Sequence, residues 1–332
     1  MNRRGARVYR GTPRNLASLA RLLRAGEVVG VPTETVYGLA ANAFDARACR
    51  KIFRAKGRPL NDPLIVHLAS ARDLATVAEP NAAARRLAAA FWPGPLTVVL
   101  PKQAAVPGEV TAGLPSVAVR VPAHPLFRRL IRLTGRPLAA PSANPFGYVS
   151  PTTAEHVRQG LGQKIGHILD GGASRVGLES TIVDLRDPNR PRLLRPGGVA
   201  RRELEKVLRQ RLAGPVLRPA RARSAQVAPG QLARHYSPRT PTVVRARLRA
   251  ADAAQSSPRE AWLFLRRPAQ LRGPHIFWLG ERGDLRAAAR RLFAVLRQID
   301  AGGFRKIHAE LAPGGGLAEA INDRLRRAAS AL

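Results

Sequence analysis

The chain has 332 residues, 45% of them hydrophobic, and a formal net charge of +34 at pH 7. That length is enough for two domains with apolar cores of their own, and no apolar run reaches the roughly 20 residues that a membrane-spanning helix needs. The single cysteine, Cys49, excludes an internal disulfide bond, and such sparse use of cysteine is typical of a reducing compartment. We therefore expect a cytoplasmic protein.

The charge is extreme because 56 basic residues face only 22 acidic ones, and all but six of the basic residues are arginine. Compositional drift in a GC-rich genome explains arginine in place of lysine, but it does not explain the shortage of acids. We interpret the charge as a preference for a polyanionic partner, enlarged by drift. Charge alone does not separate an RNA partner from nucleotide phosphates.

The arginine-rich N-terminal stretch, which has no acidic residue before Glu27, superficially resembles a transit peptide. We predict instead that it belongs to the fold, because its leucines are spaced as on one face of a helix. That helix ends at Gly26 and leads directly into the first core strand. The leucines are Leu16, Leu19, Leu22 and Leu23.

From residue 15 to about 212, apolar residues alternate between helical and strand periodicity. Helices are predicted at 15–25, 45–56, near 71–78 and 81–91, and at 125–134, 152–161 and 200–212. Strands are predicted at 27–31, 64–68, 96–100, 117–121, 137–140, near 166–169, and at 180–185 and 192–195. The alternation indicates an α/β domain over 1–212, and the adjacent late strands indicate a mixed sheet with flanking helices.

From residue 213 to 241 this periodicity stops, and Pro, Arg and Ala dominate. A long segment of this kind is usually a linker or a functional loop. A smaller β/α unit is predicted at 242–332, with strands at 242–248, 261–266, 275–279 and 306–311 and helices at 284–299 and 317–330. Its first helix carries apolar residues at helical spacing, which indicates a packed core face: Leu285, Ala288, Leu292 and Leu296.

Several common site motifs are missing from the sequence. It has no GxxxxGK[ST] loop, no GxGxxG that opens a helix after a strand, no zinc-like Cys/His spacing and no GxSxG elbow. A bound nucleotide must therefore be held by something other than a standard phosphate loop, and no set of metal-ligating residues is predicted.

The densest group of polar residues lies in the segment 31–68. Strand 28–31 ends at a Pro-Thr-Glu-Thr turn, and Asp45 and Gly57 are suited to cap a helix at its start and end. Lys56 and Arg58 flank that glycine, so we expect both cations to project from a sharp turn. His67 follows in an apolar strand. Each of these features alone is more typical of a turn, a solvated helix end or a core histidine than of a binding site.

Similar polar groups follow or begin later strands. Arg120 lies within an alternating strand, where a salt bridge and an anionic ligand are about equally expected. Pro141-Ser142-Ala143-Asn144 ends another strand, and Thr152 is favoured as the cap of the next helix. Further groups are Ser150, Glu179-Ser180-Thr181, Arg195-Pro196-Gly197 and His235-Tyr236.

Considered together, these polar groups favour a binding site rather than separate turns, helix caps and core residues. Thr, Ser, Asn, Arg and His recur at strand ends with almost no carboxylate among them. This pattern predicts a concave, cationic cleft lined by hydroxyl groups, suited to a triphosphate together with a small acid.

Several collinear segments resemble the YrdC-like family: PTETVYGL, KIFRAKGRPLNDPLIVHL, FWPGPLTVVL, SVAVRVPAHP, APSANPFG, ESTIVDL and LLRPGG. The segments RHYSPRTP and IHAELAPGGGLAEAINDRLRRAA resemble the long form of that family, which adds a small Rossmann-like domain. The resemblance covers almost the whole chain. It implies a YrdC-like catalytic domain at 1–212, a linker or lid at 213–241 and a Rossmann-like domain at 242–332.

The resemblance also implies a nucleotidyltransferase. Family members join L-threonine, bicarbonate and ATP into threonylcarbamoyl-AMP and pyrophosphate, for the threonylcarbamoyl modification of tRNA adenosine 37. It further implies Mg²⁺ bound mainly through phosphates and water. Possible partners are tRNA and the downstream proteins that transfer the threonylcarbamoyl group, and no membrane partner is expected.

By motif position, the resemblance implies roles for individual residues. The threonine site comprises Thr35, His67, Arg120 and Ser180, where the planar fork of Arg120 suits a carboxylate. The ATP site comprises Lys56, Arg58, Ser142, Asn144 and Arg195, and it is completed by Ser116, Ala140 and Ser150. Of these residues, Lys56 and Arg58 are also expected to be catalytic. Tyr236 resembles a linker residue that reaches back over the nucleotide, which would make the linker a lid.

One residue departs from the family pattern. The family usually has Asn-Pro-Leu before the histidine strand, whereas this chain has Asp62-Pro63-Leu64. An aspartate lacks the amide hydrogens of asparagine, and its charge repels phosphate. Either Asp62 contacts a metal or a cation, or the ATP contact at this position is altered.

Two other functions fit parts of the pattern. One is a non-catalytic binder of double-stranded RNA or tRNA, although an aromatic content of 5% argues against base stacking on an open platform. The other is carbamoyl transfer onto another acceptor, as in the YrdC-like domains of hydrogenase maturation proteins. Those proteins carry zinc-finger and acylphosphatase-like domains that this chain lacks.

Overall fold

A computed structural model of the chain describes residues 5–214, 224–230 and 235–330. The predicted linker at 213–241 falls partly outside these residues, and its boundaries stay a prediction. None of the described helices is long and apolar enough to cross a membrane.

The first ten strands form one mixed sheet in the order β1-β8-β2-β3-β7-β4-β6-β5-β9-β10. The strands are β1 (Arg7–Arg10), β2 (Val29–Val31), β3 (Gly38–Asn42), β4 (Ile65–His67), β5 (Leu96–Pro101), β6 (Ser116–Arg120), β7 (Leu138–Ala139), β8 (His167–Asp170), β9 (Thr181–Asp184) and β10 (Arg192–Arg195). The sheet contains parallel pairs, such as β4 with β6, and antiparallel pairs, such as β3 with β7. The predicted mixed α/β fold is therefore confirmed.

Among the described residues, seven α-helices surround this sheet: α1 (Pro13–Arg24), α2 (Ala46–Lys56), α3 (Ala82–Phe91), α4 (Gly108–Thr111), α5 (Pro125–Thr134), α6 (Ala154–Leu161) and α7 (Arg201–Leu208). Leu16, Leu19 and Leu23 of α1 are fully buried, and β1 pairs in parallel with β8. The N-terminal stretch is thus part of the fold, as its leucine spacing predicts.

Helix α2 begins and ends as the sequence predicts. The Asp45 side chain accepts hydrogen bonds from the backbone N–H groups of Arg47 and Ala48, which otherwise lack partners in the first turn. At the other end, Gly57 adopts φ +65°, a left-handed conformation that glycine reaches without strain. This turn directs the chain from Lys56 into Arg58 and fixes where both cations lie.

The C-terminal unit has a separate four-stranded sheet in the order β11-β14-β12-β13, in which all pairs are parallel. Its strands are β11 (Thr242–Arg245), β12 (Glu260–Arg266), β13 (Ile276–Gly280) and β14 (Lys306–Glu310), and its helices are α8 (Ala250–Ala254), α9 (Leu285–Ala301) and α10 (Leu317–Ala328). On α9, Ala288, Leu292 and Leu296 are buried, so the predicted core face is confirmed, with Leu285 only half-buried.

The two units share one apolar cluster. Val36, Val149 and Leu178 of the first unit pack with α9 and α10 residues of the second, and Tyr236 of the linker lies in the same cluster. Gly177 packs so closely against α9 that a Cβ atom there would lie 2.4 Å from the Cα of Arg290. The C-terminal unit is thus packed against the loops that carry the site.

Several sequence predictions are wrong in detail. Strands β1 and β3 were not predicted, because RVYR is short and the small residues of GLAAN give no strand periodicity. Helix α7 ends at Leu208 rather than at 212, since Arg209 turns to φ +55°. The helix near 71–78 is a 3₁₀ helix at Ala71–Thr76. Thr153, not Thr152, caps α6, because its Oγ1 accepts from the N–H of His156 at 3.2 Å.

Candidate active site

A cavity opens where several strands of the large sheet begin or end. The space between its lining atoms is about 490 Å³, part of which is open to solvent. His67 and Arg120 are register partners at the ends of β4 and β6, which places their side chains at one edge of the sheet. The lining residues are Thr33, Thr35, Val36, Gly38, Arg58, Ile65, His67, Arg120, Ala140, Pro141, Ser142, Glu179, Ser180, Arg195, Pro229, Gly230, His235 and Tyr236.

All four residues predicted for the amino acid line this cavity: Thr35, His67, Arg120 and Ser180. Five of those predicted for ATP line it as well, namely Arg58, Ala140, Ser142, Arg195 and Tyr236. The structure thus brings together residues that are up to 201 positions apart in the sequence, from Thr35 to Tyr236. Their individual ligand contacts stay predictions.

Arg120 is buried and engaged on every side. Its Nε donates to the carbonyl of Gly94 at 3.0 Å, and its Nη1 donates to Thr35 Oγ1 at 2.9 Å. Its Nη2 lies 2.5 Å from Glu34 Oε1. Since an arginine fork matches the two oxygens of a carboxylate, Glu34 now lies where an acidic ligand would compete for Nη2.

The sequence interpretation missed the role of Glu34, which looked like part of an ordinary turn. The contact with Arg120 is an ion pair without hydrogen-bond alignment, because neither Glu34 oxygen has a hydrogen-bond partner among the described residues. The neighbouring threonine hydroxyls are ordered instead by each other: Thr33 Oγ1 lies 2.8 Å from Thr35 Oγ1 and donates to the carbonyl of Val36. A signal was present, since a lone acid beside hydroxyl groups in a basic cleft needs a cationic partner.

His67 is neutral in this setting. Burial, reinforced by the charge of Arg120, lowers the pKa of His67 to about 3. One ring nitrogen, Nδ1, lies 3.1 Å from the carbonyl of Ile65, and the ring packs against Phe127 at a centroid distance of 5.4 Å. This histidine can therefore offer a hydrogen bond and a flat surface to a ligand, but not a positive charge.

Ser180 connects the two halves of the cavity. Its Oγ lies 2.7 Å from Thr97 Oγ1 and accepts from Arg195 Nη2 at 3.1 Å. The same arginine donates twice more to the carbonyl of Ser180. Burial lowers the pKa of Arg195, so an anionic ligand that compensates its charge would be stabilised here.

Lys56 and Arg58, which we expected to project from a sharp turn, do not form the solvated helix end that is typical of an isolated motif of this kind. Both are buried, and Lys56 Nζ donates to the carbonyls of Ser142 and Asn144 at 2.5 Å each. Burial, then the charge of Arg58, holds the pKa of Lys56 well below its usual value. The reason is that Gly57 turns the chain inward rather than outward. Only Arg58 of the two lines the cavity.

Asp62 contacts a cation, one of the two roles that we considered for it. Its Oδ1 lies 2.9 Å from Arg58 Nη2 in a fully buried ion pair. Arg58 also donates to the carbonyls of Asp62 and Pro63. Burial outweighs the neighbouring positive charges and raises the pKa of Asp62. A phosphate group at Arg58 would therefore compete with this carboxylate.

Four further residues predicted for ATP are buried near the cavity without lining it. Asn144 Nδ2 donates to the carbonyls of Pro145 and Tyr148, which orders the loop after β7. Ser150 Oγ donates to Glu179 Oε1 at 2.5 Å. Ser116 is the first residue of β6, and Asp62 forms an ion pair with Arg58. In this conformation Asn144, Ser150 and Asp62 therefore contact neighbouring protein groups, whereas Ser116 Oγ has no hydrogen-bond partner among the described residues.

The linker closes one side of the cavity. Tyr236 is fully buried, with φ +62°, and its ring lies 4.1 Å from that of His235 between centroids. Gly230 also has a positive φ of +80°, and a Cβ atom there would lie 2.7 Å from the Tyr236 hydroxyl. Tyr236 thus lines the cavity, together with Pro229, Gly230 and His235, which the sequence interpretation did not assign, and the lid role of Tyr236 stays a prediction.

No group of three or more His, Cys, Asp or Glu side chains within 5–214, 224–230 and 235–330 is arranged to hold a metal ion. The acids near the cavity, Glu34, Asp62 and Glu179, are each paired with an arginine.

Comparisons with known proteins identify relatives of both units. Residues 21–197 match the Sua5/YciO/YrdC domain, described as telomere recombination, and residues 199–330 match the C-terminal domain of threonylcarbamoyl-AMP synthase. The chain is 43% identical over 319 residues to the threonylcarbamoyl-AMP synthase of Pyrococcus abyssi, covering 93% of this chain and 92% of that protein. It is 40% identical over 327 residues to the Bacillus subtilis protein of the same name, covering 95% and 92%.

A solved structure has the same overall fold. The crystal structure of P. abyssi Sua5 complexed with L-threonine superposes with a TM-score of 0.89 at 40% identity. The superposition covers 97% of this chain and 96% of that chain. The similarity thus extends over both sheets and the segment between them.

Proposed function

The chain belongs to the Sua5/YciO/YrdC family in its long, threonylcarbamoyl-AMP synthase form, and on that premise we propose that its cleft joins L-threonine, bicarbonate and ATP. The products are threonylcarbamoyl-AMP and pyrophosphate, so the chain is a nucleotidyltransferase. The relatives support this function and not the alternative of a non-catalytic RNA binder.

One observation carries the proposal. The four side chains expected for an amino acid line the same cavity as Arg58 and Arg195, the cations expected for phosphate groups. A cavity that binds a small acid and a polyphosphate side by side can join them. Holding two reactants in alignment lowers a barrier without any protein nucleophile.

The reaction balances with the substrates alone. The amine of threonine attacks bicarbonate to form a carbamate, with loss of water. A carbamate oxygen then attacks the α-phosphorus of ATP while the bond to the leaving pyrophosphate breaks. We propose that Arg120 holds the threonine carboxylate, displacing Glu34, and that Thr35, Ser180 and neutral His67 surround the rest of the molecule.

On the nucleotide side, we propose that Arg58 and Arg195 stabilise charge on the phosphate groups as pyrophosphate leaves. Lys56 fixes the carbonyls of Ser142 and Asn144 and thereby shapes the wall next to the nucleotide. A catalytic contact from Lys56 itself requires its ammonium to exchange those carbonyls for phosphate oxygens. Small Ala140 lets a flat ring approach the backbone closely.

Mg²⁺ would supply charge neutralisation for the phosphates when it is bound, and we propose that it arrives with ATP. We also propose a cytoplasmic location, supported by the presence of a single cysteine, Cys49, in the sequence. A tRNA acceptor and the proteins that transfer the threonylcarbamoyl group onto it complete the proposal, supported by the strongly basic composition.

The test is release of pyrophosphate by the purified full-length chain, supplied with ATP, Mg²⁺, bicarbonate and L-threonine. Release should depend on threonine, and the nucleotide product should carry the mass of threonylcarbamoyl-AMP. D-threonine and glycine serve as matched controls. Equal release without threonine would refute the substrate assignment.

A further inference from the structure

The last helix of the C-terminal unit sends one arginine to the edge of the cavity in the other unit. Arg324 on α10 is completely buried. Its Nε donates to Glu179 Oε2 at 2.8 Å, and its Nη1 donates to the carbonyl of Pro196 at 2.9 Å. Pro196 directly follows Arg195, a cavity residue. Arg324 is thus in contact with two segments that form the site.

Glu179 is a carboxylate in a pocket that otherwise suits anions. It lines the cavity, and its second oxygen accepts from Ser150 at 2.5 Å. An unpaired carboxylate here would repel phosphate groups and would itself be costly to bury. Arg324 neutralises this charge, and together with Ser150 it fixes the direction in which the carboxylate points.

The same guanidinium supports the linker. Arg324 Cζ lies 4.9 Å from the centroid of the Tyr236 ring, within cation–π range. On another side, Phe293 of α9 stacks on Tyr236 at 5.7 Å between centroids. Tyr236 has a positive φ of +62°, a conformation that a non-glycine residue keeps only when its surroundings hold it. Two side chains of the C-terminal unit therefore supply that support.

We propose that Arg324 is a positioning residue of the nucleotide pocket, and that the C-terminal unit serves the reaction by delivering it. The proposal rests on the proposed function for the identity of the nucleotide. Arg324 does not line the cavity, so it acts through Glu179 and Tyr236. The C-terminal unit is then part of the active site's architecture.

If Arg324 only held the two units together, any contact between the units should matter as much as that of Arg324. The two units are also joined by a contact between residues that do not line the cavity, where Tyr148 Oη donates to Asp300 Oδ2 at 2.7 Å. Loss of that hydrogen bond weakens the contact between units but leaves the cavity intact. Tyr148→Phe is therefore the matched control for variants of Arg324.

The experiment compares Arg324→Lys, Arg324→Met and the double variant Arg324→Met/Glu179→Gln with Tyr148→Phe in the full chain. ATP affinity is measured by calorimetry, KM for ATP and for threonine by pyrophosphate release, and folding by thermal unfolding. Lysine keeps the charge but cannot reach Glu179 and Pro196 with a rigid fork. Methionine at position 324 keeps the packing and removes the charge, while glutamine at position 179 removes the carboxylate that Arg324→Met leaves without its partner.

We expect Arg324→Lys to raise KM for ATP roughly tenfold, the loss of about one charge-assisted hydrogen bond, with KM for threonine nearly unchanged. Arg324→Met should weaken ATP further, and Glu179→Gln should recover part of that loss. Tyr148→Phe should keep both KM values. If folded Arg324→Lys and Arg324→Met bind ATP like the natural chain, or if Glu179→Gln recovers nothing, the proposal is wrong.

The calorimetric measurement separates this proposal from the proposed function. If the natural chain binds ATP but releases no threonine-dependent pyrophosphate, the reaction is wrong, and ATP binding by the variants still tests Arg324. If the reaction proceeds and the Arg324 variants bind ATP normally, only the inference about Arg324 fails.

Discussion

Replacing Arg120 by methionine should separate its structural role from its role in binding the amino acid. The side chain makes three buried contacts, to Gly94, Thr35 and Glu34. Removing it leaves Glu34 as a buried charge without its partner, which costs about 3–5 kcal/mol. A loss of this size corresponds to a fall in Tm on the order of 10 °C for a chain of this size.

The effect of Arg120→Met on substrate binding should be selective for threonine over ATP. Loss of a charge-assisted contact to a carboxylate costs about 1.5–3 kcal/mol, so KM for threonine should rise by roughly 10- to 150-fold. KM for ATP should change by less than about threefold, since Arg58 and Arg195 are untouched. Pyrophosphate release measured against each substrate in turn, together with thermal unfolding, gives all three quantities.

The charge-neutral double variant Arg120→Met/Glu34→Gln is the control. It removes the unpaired acid, so it should regain part of the lost Tm while its KM for threonine stays high. The reasoning is refuted if KM for ATP rises as much as KM for threonine, because the division of the cavity would then be wrong. It also fails if the double variant is no more stable than Arg120→Met.

Three further outcomes follow from the site. Gly230→Ala places a Cβ atom 2.7 Å from the Tyr236 hydroxyl and should raise KM for ATP. The control is Gly314→Ala, at a similar φ but with no atom within 4 Å of the added Cβ, which should lower Tm only. If the two variants have the same KM for ATP, the contact between residue 230 and Tyr236 does not affect the nucleotide site. Because the pKa of His67 is lowered from 6.5 to about 3, neutral His67 contributes stability above pH 6.5 that is lost as pH falls toward 3. His67→Gln should therefore flatten part of that decline in the free energy of unfolding, and an unchanged pH profile would argue against it. EDTA should abolish pyrophosphate release without lowering Tm; a lower Tm would indicate a resident structural metal instead.

Much of the site was predictable because its residues follow strands that are themselves easy to recognise. Thr35, His67 and Arg120 come at or just after the ends of apolar strands, and the resemblance to a known family placed them in one pocket. The same periodicity predicted most helices and both sheets. Strand β3 escaped because Gly38–Asn42 is built from small residues whose partners lie elsewhere in the chain.

What the sequence could not provide is the set of contacts between distant charged groups. The motif of Lys56 and Arg58 taken alone is typical of a solvated helix end, and only the fold shows that both side chains are buried beside the turn at Gly57. The sequence indicated that Glu34 needs a cationic partner but not that this partner is Arg120, 86 positions away, and it gave no sign that Arg324 pairs with Glu179, 145 positions away. Periodicity describes an element's own face and carries no information about such pairings.

The shared apolar cluster between the units has a consequence for shorter relatives of this chain. Val36, Val149 and Leu178 are buried against α9 and α10, so a version ending after α7 would present them to water. Such a protein must carry polar side chains at these positions, or it will self-associate. Loss or gain of the C-terminal unit during evolution therefore has to be accompanied by exchanges on the surface that α9 and α10 cover, and one residue of that surface, Val36, also lines the cavity.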